Sequence, residues 1–122
     1  MDRKDVFDLN DRVVIITGGL GQIGRQFALE LIDRGAKVAI FNRSIPEEST
    51  LKARFPVESG RVAFFPVDIT KKASIKAGLD AVIARWDVPH VLVNNAGLDT
   101  QPSAPPEVSG PFEDFPEEVW RE

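Results

Sequence analysis

Four short apolar runs punctuate the chain, and the stretches between them carry helical periodicity. Val13-Val14-Ile15-Ile16 is unbroken and β-branched throughout, the pattern of a strand covered on both faces in a parallel sheet. Val38-Ala39-Ile40-Phe41, Val62-Ala63-Phe64-Phe65 and Val91-Leu92-Val93 repeat it. After the first run, Ile23, Phe27 and Leu31 fall four apart, with Gly24, Ala28 and Ile32 as an adjoining row of the same face. Arg25, Gln26, Glu30, Asp33 and Arg34 take the other side, and Gly35 supplies a stop. Ser44-Ile45-Pro46-Glu47 predicts a capping box with proline in the first turn of a short second helix. Ile75, Leu79, Val82, Ile83 and Trp86 give a third helix its stripe, with Thr70 as the expected cap. Strands alternating with helices predict right-handed βαβ units and a doubly wound parallel sheet of the α/β class.

A length of 122 residues allows one domain, and residues 1–122 are read as a single unit. The chain has no cysteine and one histidine, His90, so a thiolate or multi-histidine metal site is excluded. No apolar run reaches the length of a membrane span, and Met1–Asp8 is charged, without a signal-peptide core. Cytoplasmic localisation without membrane association is therefore expected. The net charge of −4 argues against a nucleic-acid partner. It is concentrated from Leu98 to Glu122, where Arg121 is the only base; that stretch reads as a solvated loop, with a partner-binding tail as the alternative. Prolines at 102, 105, 106 and 111 make 98–115 a long loop, and a helix is expected to begin at Pro116. His90 and the two tryptophans, Trp86 and Trp120, are read as structural.

Directly after the first strand comes Thr17-Gly18-Gly19-Leu20-Gly21-Gln22-Ile23-Gly24, which contains G-x-G-x-x-G at Gly19, Gly21 and Gly24. Between a strand and an amphipathic helix this motif points to a dinucleotide. Glycines permit the tight turn and let backbone approach a pyrophosphate, while the helix N-terminus offers unpaired N–H groups and partial positive charge. A purely structural strand-to-helix turn is the alternative.

With Pro66-Val67-Asp68-Ile69-Thr70 after the third strand and Asn94-Asn95-Ala96-Gly97 after the fourth, nearly the whole chain resembles the short-chain dehydrogenase/reductase family. The glycine segment departs from that family's T-G-x-x-x-G-x-G, because Gln22 stands where its second glycine falls. It fits the T-G-x-x-G-x-x-G spacing of extended members better. The resemblance implies the N-terminal half of a Rossmann fold, with Gly18, Gly19, Leu20, Gly21, Gln22 and Ile23 at the cofactor. It implies Asp68 and Ile69 beside adenine, and Asn95, Ala96 and Gly97 lining the cleft. From the residues alone, Asp68 also reads as a helix cap and Asn94-Asn95 as a turn.

Cofactor choice rests on Phe41-Asn42-Arg43-Ser44. An NAD-selective site places a carboxylate at the end of this strand to accept from the ribose hydroxyls. Asn42 has no charge to repel a 2′-phosphate, and the guanidinium of Arg43 suits phosphate, so NADP is expected over NAD. Arg43 as a solvated side chain is the alternative.

The resemblance further implies hydride transfer between nicotinamide and an alcohol or carbonyl substrate, in a homo-oligomer. The family's chemistry uses an asparagine, a serine and a Tyr-x-x-x-Lys pair, and this chain has no tyrosine. No residue here is therefore assigned a catalytic role, Glu122 is expected to be a truncation point, and the fragment is expected to be inactive and marginally stable alone. Its fourth strand would then be an exposed apolar edge. A non-catalytic dinucleotide-binding module is the second reading.

Overall fold

The computed structural model describes residues 6–97. Four strands and three helices alternate along it: β1 (Val13–Thr17), α1 (Gln22–Asp33), β2 (Lys37–Asn42), α2 (Glu48–Arg54), β3 (Val62–Pro66), α3 (Lys72–Arg85) and β4 (Val91–Asn94). A 3₁₀ turn at Val57–Ser59 separates α2 from β3. The sheet is wholly parallel in the order β3-β2-β1-β4, so every strand points its carboxyl end the same way. The expected α/β class and doubly wound architecture are what the chain adopts.

The continuous apolar runs explain the two layers. Val14, Ile16, Val38 and Ile40 join Ala28 and Ile32 of α1 in one core. The alternate residues Val13, Ile15, Ala39 and Phe41 meet Val82 of α3 on the opposite face. Period-two alternation sends neighbouring side chains to opposite faces, so a strand covered on both sides must be apolar at every position. Edge-to-face rings tie in β3, with Phe55 against Phe64 at 5.2 Å and Phe41 against Phe65 at 5.9 Å.

Both long helices seat on rows that begin with a small residue and end on a buried β-branched one. In α1 the buried positions are Gly24, Ala28 and Ile32, whereas Ile23 is 65% exposed and Phe27 47%. In α3 they are Gly78 and Val82, and Ile75, Leu79 and Ile83 stand partly in solvent. Small side chains let the helix axis approach the sheet, while of the bulky α1 row Ile23 and Phe27 are turned outward and Leu31 packs half-buried against the core.

Two caps differ from expectation. No capping box forms at Ser44: its carbonyl accepts the Asn42 side-chain amide at 2.9 Å, the chain passes Pro46, and α2 begins at Glu48 without a side-chain cap. Thr70 does not cap α3 either: Lys71 holds the N-cap position, without a side-chain cap bond, and the Thr70 hydroxyl donates to Asp68 Oδ1 at 2.6 Å. Gly35 does end the α1 turn, at φ +96°.

His90 has a structural place, its N–H donating to the Val13 carbonyl at 2.8 Å while Nδ1 accepts the Val13 N–H at 3.0 Å. Trp86 packs against the α3-side core. β4 is an edge of the described sheet, with Val91 45% and Leu92 56% exposed. Among the described residues no helix is long and apolar enough to cross a membrane, and no cluster of metal-ligating side chains occurs. The expectations for the acidic stretch, the loop 98–115, the helix at Pro116 and Trp120 lie outside the described residues.

Candidate functional site

Parallel strands bring four loops to one rim, and hydrogen bonds lace them together. The Gly18 N–H donates to the Phe41 carbonyl at 2.8 Å, and the Val67 N–H to the Asn42 carbonyl at 2.9 Å. Across the other side, Asn95 Nδ2 donates to the Gly18 carbonyl at 3.1 Å. The glycine turn, the end of β2, the start of the Asp68 loop and the Asn95 turn are therefore neighbours at the carboxyl edge, where open α/β sheets bind ligands.

Thr17 anchors this rim and was absent from the residues singled out for the site. Its side chain is buried, with the hydroxyl accepting the N–H groups of Asn95 and Ala96, each at 3.1 Å. The hydroxyl also lies 3.5 Å from the Val93 carbonyl, toward which it donates. A threonine closing a buried strand just before a glycine turn is the local signal; its partners lie almost eighty residues away in sequence.

The four motif glycines divide by what a Cβ would meet. At Gly18, with φ +66°, it would come within 2.8 Å of Ala96 Cα, and at Gly19 within 2.8 Å of Ile40 Cγ2. At Gly24 it would lie 2.6 Å from both Asn95 Nδ2 and the Gly18 carbonyl. Internal packing accounts for these three. Gly21 is different: its nearest neighbour would be the Gly18 carbonyl at 3.5 Å, an ordinary contact. Gly21 is the N-cap of α1, in extended conformation and without a side-chain cap. The start of α1 thus presents bare backbone to solvent, the arrangement that accepts an anionic group.

The other predicted residues take varied positions. Leu20 turns into the α1-side core, so only its backbone serves the turn; Gln22 and Ile23 are exposed beside it. Asn42 commits its side-chain amide to the Ser44 carbonyl. The Arg43 side chain is 74% exposed, and its Nη2 is 3.9 Å from Asp68 Oδ1. Asp68 Oδ1 accepts both the hydroxyl and the N–H of Thr70, the latter at 3.0 Å. Those two bonds, helped by the Arg43 and Lys71 charges and opposed by partial burial, hold its carboxyl below the usual aspartate range. Asp68 also donates its own N–H to Ser74 Oγ at 2.8 Å. Ile69 and Gly97 are exposed and Ala96 half-buried at the same rim. A cleft along the free edge of β3, between Glu48 and Arg85, shares no residue with this group.

The family model for short chain dehydrogenase matches residues 12–122. The chain belongs to the short-chain dehydrogenases. It is 32% identical over 101 residues to an uncharacterized oxidoreductase of Schizosaccharomyces pombe, a match covering 81% of this chain and 30% of that protein. It is 34% identical over 92 residues to human retinol dehydrogenase 12, covering 74% of this chain and 29% of that one. Among solved structures it is similar to the NADH-dependent reductase A1-R′ complexed with NAD. That match has 36% identity and a TM-score of 0.65, covering 75% of this chain and 38% of the other. Levodione reductase superposes with a TM-score of 0.72 at 27% identity, covering 93% and 42%. This short-chain dehydrogenase sequence thus spans about a third of the length of these curated relatives.

Proposed function

We propose that this chain is the dinucleotide-binding part of an NAD(P)-dependent oxidoreductase acting on an alcohol/carbonyl pair, with NADP(H) preferred and NAD(H) accepted. The observation that carries the reading is the motif glycine that packing does not require. Gly21 leaves the uncapped start of α1 open to solvent, and three further loops converge on the same rim.

In this reading the first-turn N–H groups of α1 bind the pyrophosphate. Thr17 and Asn95 hold the turn that aims them, Asp68 accepts from the adenine amine, and Arg43 meets the ribose 2′-phosphate. When bound, the nicotinamide carries the hydride, while the protein supplies orientation and proton transfer. No tyrosine exists in this chain, so the proton-transfer role is assigned to none of its residues.

Titration of the chain with NADPH and NADH, followed by nucleotide fluorescence, tests the proposal. A charge-assisted contact to the 2′-phosphate corresponds to about tenfold in affinity, and the preference should shrink as salt screens it. Asn42→Asp with Arg43→Ala should reverse it, since a carboxylate accepts from a free 2′-hydroxyl and repels a phosphate. Equal affinities in the unmutated chain, or a double variant that keeps the preference, would overturn the NADP assignment. Absence of saturable binding to either nucleotide would overturn the function.

A further inference from the structure

Asn42 leaves the end of β2 without a carboxylate, yet one reaches the same place from the loop after β3. Asp68 Oδ1 lies 3.9 Å from Arg43 Nη2, and the two side chains differ sharply in freedom, 23% exposed for Asp68 against 74% for Arg43. Asp68 is fixed by two bonds from Thr70 to that same Oδ1. Arg43 is fixed only at one end: its guanidinium carries five N–H donors in a planar fork, and the Asp68 contact faces Nη2. An anchored carboxylate thus sits beside a movable guanidinium at the position that reads the ribose.

We infer that Asp68 is a specificity-determining residue, competing with the cofactor's 2′-phosphate for Arg43 and so keeping NAD(H) acceptable to a site otherwise built for NADP(H). This rests on the proposed reading in which Arg43 meets the 2′-phosphate. With a free 2′-hydroxyl, Arg43 stays on Asp68 and the pair is neutral. With a 2′-phosphate, one guanidinium is shared between two anions, and the carboxylate repels the phosphate as well. Thr70 moderates the competition, because its hydroxyl occupies the oxygen that faces Arg43.

The experiment compares dissociation constants of the chain for NADPH and NADH and takes their ratio, which cancels any loss of contact to the adenine that both nucleotides share. Asp68→Asn, which keeps an acceptor for Thr70, should raise the preference for NADPH about fivefold, the effect of one unit charge at 4 Å in water. Thr70→Val, at an exposed position, removes the hydroxyl bond to Oδ1 and keeps the N–H bond, leaving more of that oxygen's charge to Arg43, and should lower the preference. Arg43→Ala should abolish it. A ratio unmoved by both Asp68→Asn and Thr70→Val, while Arg43→Ala abolishes the preference, overturns the role of Asp68 and leaves the NADP reading intact. A ratio unmoved by Arg43→Ala overturns that reading and this inference with it.

Discussion

Replacing Gly24 by alanine sets two physical effects against each other. In a helix interior, Gly→Ala is ordinarily stabilising by about 1 kcal/mol, because glycine loses more backbone entropy on folding. Here the new Cβ would fall 2.6 Å from Asn95 Nδ2, 2.6 Å from the Gly18 carbonyl and 2.8 Å from Gly19 Cα. Two of these neighbours are backbone atoms of a turn held by the Gly18–Phe41 and Asn95–Gly18 bonds, so they cannot rotate away as a side-chain tip could. Overpacking of this kind costs about 1–3 kcal/mol. Pushing Asn95 off the Gly18 carbonyl adds about 1 kcal/mol more. The net expectation is a destabilisation of about 1–3 kcal/mol. Urea unfolding followed by Trp fluorescence reads it as a lower midpoint at unchanged slope. A higher midpoint would mean that α1 has room against the Asn95 turn, and the close packing of the rim would be refuted.

Thr17→Val keeps shape while removing the acceptor of two N–H groups. It should cost about 1–3 kcal/mol and speed amide exchange at Asn95 and Ala96, with unchanged exchange there contradicting the anchor role. The carboxyl of Asp68 is held low by Thr70 and by Arg43 and Lys71. A folded-state value depressed below the unfolded one contributes stability that is present above the unfolded value and is lost as pH falls through the folded one. The stability difference between the unmutated chain and Asp68→Asn should therefore shrink as pH drops below the ordinary aspartate range; a difference constant with pH would contradict it.

What the sequence disclosed is what local chemistry dictates. Runs such as Val13–Ile16 and Val38–Phe41 are apolar at every position because both sheet faces are covered, so strand positions and the two-faced sheet were legible. The helix faces were legible only in part. Counting large apolar residues favours Ile23 and Phe27, or Leu79 and Ile83, but close approach to a sheet is governed by the smallest side chains, and Gly24 and Gly78 decided the seating. Ser44 and Thr70 carry cap chemistry, yet the helices begin beyond them, with Glu47 and Lys71 at the N-cap positions, because the loops after β2 and β3 run on before the chain turns helical. At the rim, the glycine spacing pointed to the turn. The role of Thr17 was hidden because it is wholly tertiary, and the Arg43–Asp68 pair was hidden because it joins loops after different strands.

In the proposed reading the start of α1 is open because a dinucleotide's pyrophosphate approaches there, and Gly21→Val would close that approach. Gly21 has extended backbone with φ −74° and no close neighbour at its Cβ position, so valine fits the fold and costs no more than about 1 kcal/mol of cap preference. Its branched side chain would occupy the approach to the first-turn N–H groups. Fluorescence titration with NADPH, at matched folded fraction, should show saturable binding by the unmutated chain and none by the variant. Equal affinity in both proteins would remove Gly21 and the start of α1 from the nucleotide site.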